Sequence, residues 1–591
     1  MKLSDYVMSF IESLGVDHVF YLPGGGSMHL NDSLGRSGVT DVCMLHEQAA
    51  AIAAEAYARI TENYGVCMTT SGPGALNAMT GLYAAWLDST PVIFISGQVK
   101  RADLAEGKNI RQFGIQEADI ISMVRSCTKY AVQIKSPESI KYELEKAATL
   151  AKHGRPGPVW IDVPLDVQAY DIDPANMDGY SSGDLNKHTV DDDDVIKAIQ
   201  LINEAKRPVI ILGHGIRLSG ASDIIHQLVE TLNIPVLTTW NGADLIDNYH
   251  ELYYGRPGAV GLRYSNFIQQ NSDFALTIGT RLNLLSTGFD YPSFLHNAKH
   301  VMVDIDKYEM EKESVKPCLK IHCDAKQFIM AVLERKELID SSDRREWIDK
   351  CDHYRQNYDL EYDRCQNSKY VDTYKLMKEI SQQFTSDINY QFTSSGTAAD
   401  IAMQVLKFKK GQRAFLTKGL ASMGFDLPAS IGNCLASGGK KTICVTGDGG
   451  FMLNIQELET LRRLDLPVKI FIINNSGYSM IYSSQYNNFD GRLTGCTAES
   501  GLTIPDLKRV VEAFSIKCFT IENEIGIKQN VEIALSGDNP VICIVNSDIN
   551  QKILPRQANY MKPNGQMASR PLEDMAPLLQ RDELRREMIE V

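Results

Sequence analysis

With 591 residues, 44% hydrophobic and 23% charged, and a net charge of -14, the chain has the composition of a globular protein. At roughly 100–200 residues per domain, three or four domains are expected. The acidity excludes a broad polyanion-binding surface, so neither nucleic acid nor membrane is an expected partner, although a local basic pocket can still hold a phosphate.

The start, "MKLSDYVMSFIESLGVDHVF", lacks the basic and apolar regions of a signal peptide, and no apolar run reaches membrane-spanning length. The 12 cysteines lie scattered, mostly in apolar runs, without a CxxC pair. They read as small buried hydrophobes of a reducing, cytoplasmic location. Short β-rich runs such as "HVFYLPG", "GVCMTT", "PVIFISG" and "PVWIDVP" alternate with helical segments such as "HEQAAAIAAEAYARIT". That alternation predicts a parallel sheet covered by helices. The polar stretch "MDGYSSGDLNKHTVDDDDV" follows, and its acidic run reads as a solvated linker.

A second βα series runs from "PVIILGHG" through "IPVLTT", "FALTIGTR" and "HVMVDID", and a charged, helix-like connector spans about 334–369. A third series contains "NYQFTSS", "RAFLTKG", "KTICVTGDGG", "VKIFIINN" and "PVICIVN". The expected boundaries are 1–175, 190–335 and 370–548, each domain α/β with a mostly parallel sheet, and a Pro-rich tail at 549–591 that wraps over a neighbour.

"KTICV" is expected to be a buried strand, with Gly447, Gly449 and Gly450 turning the chain at its carboxyl end, where open α/β sheets collect ligands. The helix expected next, "NIQELETLRRL", offers free amides to phosphate. Asp448 in that turn cannot attract phosphate itself, so a divalent cation is expected between them, and magnesium commonly bridges a carboxylate to a diphosphate. Asn474 and Asn475 close the following strand as further oxygen donors. An acidic glycine turn followed about two dozen residues later by paired asparagines is the pattern of a thiamine diphosphate and magnesium site; an ordinary βαβ unit with polar strand ends is the alternative.

Thiamine chemistry also needs a carboxylate in apolar surroundings, able to share a proton with the aminopyrimidine and so generate the ylid. Glu47, in "VCMLHEQAAAIAAEAYAR", follows a buried strand and opens an alanine-rich helix. A zinc helix of the HExxH kind fails because Ala50 holds the second histidine position, and an acidic first turn favoured by the helix dipole remains the plain alternative.

With "YLPGGGSM", "HEQAA", "TSGPGALN", "ISGQV", "RSCTKY", "GRPGPVWIDVP", "MGFDLPASIG" and the GDG and NN pair in order, residues 1–547 resemble the acetohydroxyacid (acetolactate) synthase group of thiamine diphosphate enzymes. The resemblance implies pyrimidine-binding, central and diphosphate-binding domains, and a homodimer or homotetramer with active sites between subunits. It assigns cofactor activation to Glu47 and magnesium binding to Asp448, Asn475 and Gly477. Met423 would support the bent cofactor, Ala421 and Met423 would grip the pyrimidine, and Gly396, Thr397 and Ala398 the diphosphate, although the family's usual Gln and His are absent there. Core packing is the plain reading of Met423. Gly25, Pro73 and Asn77 would face the cofactor from the glutamate's side, Met480 would also contact the cofactor, and Gln116 would face substrate. The glycines of "PGGG" do not make a dinucleotide loop, since its last position is His29, itself read as a loop residue.

The group often carries FAD in the central domain. Arg155, Gly213, Gly215, Arg281, Asp304 and Asp324 match positions near that flavin, but Leu218 breaks the glycine pattern and the family's second arginine is missing, which leaves FAD, ADP or an empty site. Ser484 and Leu165 replace a tryptophan and a lysine of true acetohydroxyacid synthases, and loss of a large aromatic opens the acceptor pocket. The expected reaction is decarboxylation of pyruvate or another 2-oxoacid with transfer of the acyl unit to a carbonyl acceptor, either a ketoacid or a larger ketone such as a nucleotide-linked keto sugar. A lyase or oxidase on the same scaffold and a noncatalytic assembly subunit are the alternatives.

Overall fold

A computed structural model describes residues 1–183, 185, 188–340, 344–360, 369–383 and 387–589. The chain forms three parallel sheets flanked by helices, in two compact units. The first unit comprises 1–186, 388–399 and 416–549.

Its first sheet has the order β2-β1-β3-β4-β6-β5, from β1 (His18–Tyr21), β2 (Thr40–Cys43), β3 (Gly65–Thr69), β4 (Val92–Gln98), β5 (Tyr130–Gln133) and β6 (Val159–Pro164). Its other sheet runs β12 (Asn389–Phe392), β14 (Thr442–Gly447), β15 (Val468–Asn474), β17 (Val541–Asn546) and β16 (Lys517–Ile521), all parallel. Strands β3, β4, β6, β12 and β17 are buried nearly throughout, as continuous apolar runs in parallel sheets should be.

The helix Glu47–Thr61 lies against the helix Asp426–Ala436. Its alanines serve close approach: a Cβ on Gly432 would stand 2.2 Å from the Ala53 carbonyl oxygen. Within this buried helix Arg59 reaches Glu55 at 3.4 Å and Asp88 at 3.2 Å, so the charges are compensated where water is excluded.

The second unit comprises 187–387, 400–415 and 550–591. Its sheet runs β11-β10-β9-β7-β8, from β7 (Pro208–Leu212), β8 (Val236–Thr238), β9 (Phe274–Ile278), β10 (Lys299–Asp304) and β11 (Leu319–His322). The two-residue β13 (Ala414–Phe415) also belongs to this unit.

Two expectations are corrected here. The acidic run is not linker but the opening of the helix Asp192–Glu204: Asp191 caps the Asp193 amide and Asp192, Asp193 and Asp194 fill the first turn, where the helix dipole favours negative charge. The tail, expected over a neighbour, packs on its own chain's second unit. There Arg556–Gln557 pairs antiparallel with Met575–Ala576, and Asn559–Met561 with Met567–Ser569. Part of the expected charged connector, 341–343 and 361–368, lies outside the described residues; Arg345–Asn357 within it is helical. Among the described residues no helix is long and apolar enough to cross a membrane.

Because Gly432 meets backbone rather than a yielding side chain, Gly432→Ala is expected to cost about 1–3 kcal/mol of stability. Chemical unfolding of the full chain would measure it, and an unchanged midpoint and slope would show that the two helices separate without cost.

Candidate active site

Glu47 is the first residue of its helix, behind the N-cap His46, whose Nδ1 accepts the Gln48 amide at 3.1 Å. It is only 6% exposed. Asn77, at the end of the helix Pro73–Asn77, donates to Glu47 Oε2 at 3.0 Å. Two residues singled out from the sequence are thus in contact, and Pro73 opens the same short helix that Asn77 ends.

The acidic turn and the asparagines meet at neighbouring strand ends. Gly447 of β14 pairs with Ile473 of β15, which places Asp448 beside Asn474. Asp448 Oδ1 accepts the Gly449 amide at 2.8 Å, and Oδ2 accepts those of Asn475 at 3.0 Å and Gly477 at 3.3 Å. Asn475 Oδ1 also accepts the Gly477 amide, at 3.2 Å. Carboxylate and side-chain amide oxygens therefore converge on one residue. Burial pushes the Asp448 carboxyl up to about 6, against the opposing hydrogen bonds from Gly449, Gly477, Ser476 and Asn475. A divalent cation would compensate that buried charge. Among the described residues no group of three or more His, Cys, Asp or Glu side chains could hold a metal.

The helix after the turn is shorter than expected: Asp448–Met452 ends at a turn, and Glu457–Leu464 is a separate helix. Asn454 occupies the break, its Nδ2 donating to the Gly424 carbonyl at 2.6 Å and to Gln48 Oε1 at 3.3 Å. Ala421 has a left-handed φ of 56°. A Cβ on Gly449 would stand 3.3 Å from Met423 Cε and 2.2 Å from the Tyr478 ring, so Met423 reaches the acidic turn and glycine is needed under Tyr478. The Thr397 and Ser479 hydroxyls bond at 2.6 Å, tying the segment with Gly396 and Ala398 to the helix that carries Met480. Thr417 Oγ1, Ser422 Oγ and Asn474 Oδ1 are buried without a hydrogen-bond partner. Buried polar atoms in proteins are usually satisfied, so these around the Ala421–Met423 turn and the β15 end fit a site built for a polar cofactor.

Comparison with known proteins gives the same reading. The chain matches the thiamine pyrophosphate enzyme models for the N-terminal TPP binding domain over residues 1–123, the central domain over 195–332 and the C-terminal TPP binding domain over 394–545. It is 33% identical to a probable acetolactate synthase large subunit of Methanococcus aeolicus, over 96% of this chain and 94% of the relative. With the acetolactate synthase isozyme 2 large subunit of Escherichia coli it shares 29% identity over 98% and 100%. The chain belongs to the thiamine pyrophosphate enzyme family. It is a thiamine diphosphate-dependent enzyme of the carboligase type that acetolactate synthase large subunits represent.

In this family member Gln116 is exposed and left-handed, with φ 64°, and its carbonyl lies 2.4 Å from where Gly72 would carry a Cβ. It therefore stands over the loop that leads to Asn77 and Glu47. Gly25 is exposed and has no atom within 4 Å of its Cβ position.

Of the six residues matched to a flavin site, Arg155 is in the first unit, where it bonds Ser89 at 2.9 Å, and the other five are in the second. Cβ atoms on Gly213 and Gly215 would stand 2.2 and 2.7 Å from Gly279 backbone, so close packing of strand ends accounts for both. Asp324 caps the helix Ala325–Leu333, Asp304 accepts the Asp306 amide at 2.9 Å, and Arg281 approaches Glu309 at 3.5 Å.

The sequence did not single out the network behind Gln116. Fully buried Asp162 takes the Ser96 hydroxyl at 2.6 Å and the amides of Gln133 at 2.9 Å and Gln98 at 3.2 Å, and Gln98 also holds the Ala118 carbonyl at 2.8 Å. Burial pushes Asp162 up to about 6, while hydrogen bonds from Gln133, Ser96 and Gln98 oppose the shift. Since the folded value lies above the unfolded one, stability tied to this group is complete below about pH 4 and is lost as pH rises through about 6. Asp162→Asn should flatten the wild-type fall over that window, measured as urea midpoints from pH 4 to 7; parallel profiles would refute it.

Proposed function

We propose that this enzyme decarboxylates a 2-oxoacid, with pyruvate as donor, and joins the acyl unit to a carbonyl acceptor. The observation that carries this reading is the convergence of Asp448 and Asn475 oxygens on Gly477 at adjacent strand ends, in a chain that also buries Glu47 under an Asn77 hydrogen bond. Thiamine diphosphate, when bound, supplies a carbon nucleophile for the ketone and accepts the electron pair as carbon dioxide leaves. Asp448, Asn475 and Gly477 would hold magnesium, and through it the diphosphate. Gly447, Gly449 and Gly450 would let the backbone approach, with Gly396, Thr397 and Ala398 alongside. Ala421 and Met423 would grip and support the pyrimidine. Glu47 would hold the proton shared with the aminopyrimidine, oriented by Asn77, while Gln116 would orient substrate over that loop.

The acceptor is a ketoacid or a larger ketone such as a nucleotide-linked keto sugar, the latter favoured by Ser484, exposed on the helix Ser479–Asn488, and Leu165, which begins the short helix after β6, in place of a tryptophan and a lysine. Gly213, Gly215, Arg281, Asp304 and Asp324 of the second unit would be the residues to hold FAD or ADP, which the net reaction does not need. Leu45, Leu76, Leu453 and Met480 are exposed apolar residues beside the candidate groups, which supports a homodimer or homotetramer that covers them.

Incubation with pyruvate, thiamine diphosphate and magnesium, with products read by mass spectrometry, tests the reaction. Acetolactate, or carbon dioxide release dependent on an added nucleotide-linked keto sugar, supports it, whereas acetaldehyde alone refutes carboligation. Glu47→Gln is expected to slow C2 proton exchange of the cofactor by roughly 10²–10⁴-fold while calorimetry still detects cofactor and magnesium. Asp448→Ala should instead weaken that binding by more than the roughly 10–100-fold that loss of an outer-shell partner costs. Unaltered affinity would remove Asp448 from the metal site.

A further inference from the structure

We propose that Glu457 is a positioning residue for Glu47, an inference that rests on the role assigned to Glu47 above. Glu457 opens the helix Glu457–Leu464 and is fully buried. Its Oε1 and Oε2 lie 3.0 and 3.4 Å from the Leu45 amide, and Oε2 also takes the Thr460 hydroxyl at 2.7 Å. Leu45 sits two residues before Glu47, in the turn between β2 and the helix Glu47–Thr61, where neither sheet nor helix supplies its amide with an acceptor. Within the chain Leu45 is 47% exposed, so the contact that holds this turn from inside the chain is the hydrogen bond to its amide.

The grip continues on both sides. Arg463 Nη2 donates to the Cys43 carbonyl at 2.6 Å, and Asn454 donates to Gln48 Oε1 at 3.3 Å. Residues 43, 45 and 48 are thus each held from the segment 454–463, with Glu47 bracketed between them. Burying a carboxylate costs several kcal/mol unless its oxygens are used, and here they are spent on the turn that aims Glu47. The helix alone cannot do this, because a first-turn residue points wherever the preceding turn sets the helix start.

The test uses the full chain with Glu457→Ala, Glu457→Asp and Glu457→Gln, and Glu47→Gln as comparator. Without cofactor, hydrogen exchange in peptides covering residues 43–50 should speed up in Glu457→Ala and Glu457→Asp. With cofactor and magnesium, C2 proton exchange should fall by roughly 10–100-fold in both, the cost of a misplaced catalytic group. Cofactor affinity should stay within about threefold, since the metal grip is elsewhere. Glu457→Gln keeps one oxygen for Leu45 and should retain most of the rate. If Glu457→Ala does not fold, Glu457→Asp decides. C2 exchange at the wild-type rate in Glu457→Asp, with Glu47→Gln slow, would overturn the proposal. Wild-type exchange in Glu47→Gln itself would instead overturn the reading of Glu47.

Discussion

The first unit depends on the approach of two helices, Glu47–Thr61 and Asp426–Ala436, at a distance only small residues allow. Gly432 faces the Ala53 carbonyl, and the alanines from Ala49 to Ala58 leave room along the line of contact. This packing joins a sheet built from the first 186 residues to one built from β12 and the strands after residue 441. It also determines what each helix start can reach. Glu47 begins one helix and the Ala421–Met423 turn leads into the other, so the two candidate cofactor contacts inherit their rigidity from a contact neither makes.

Polar groups then collect at ends and breaks, as the physics of parallel sheets requires. The strand interiors spend their amides and carbonyls on the ladder, and ligands of open α/β sheets collect at the carboxyl ends. Asp448 lies at such an end with backbone amides as hydrogen-bond partners, and burial raises its proton affinity. The buried carboxyl is held by backbone amides from both strand ends, a contact the spacing of GDG and NN alone does not show. Met423 follows the same logic: core packing would suffice to explain a methionine, but its Cε reaches the Gly449 position beside Tyr478.

The local patterns were legible because each is written in consecutive residues. Apolar runs gave the strands and glycines their ends, and the Asp448 and Asn475 pattern named residues that meet at adjacent strand ends. The tether on Glu47 was not legible, since Glu457 and Leu45 are separated by 412 positions and a glutamate opening a helix is explained locally by the helix dipole. The Asp162 network was hidden likewise: "VWIDVP" reads as a strand with one polar residue, and Ser96, Gln98 and Gln133 come from two other strands. The acidic run was misread for the opposite reason, a polar composition that suits a linker and a helix start equally well.

The second unit shows why polarity and exposure must be kept apart. Every residue of the helix Arg263–Asn271 is buried, though Arg263, Asn266, Gln270 and Asn271 would place it on a surface. The tail supplies their partners: Arg263 reaches the Pro577 carbonyl at 2.5 Å, Asn266 the Leu572 carbonyl at 3.1 Å, Gln270 the Glu573 carboxylate at 3.0 Å and Asn271 the Glu587 carbonyl at 3.0 Å. Removing such partners leaves buried donors unpaired, at about 1–3 kcal/mol each. A segment rich in proline and polar residues thus supplies partners inside this unit, and its sequence does not show this because the groups it satisfies lie three hundred residues away in the chain.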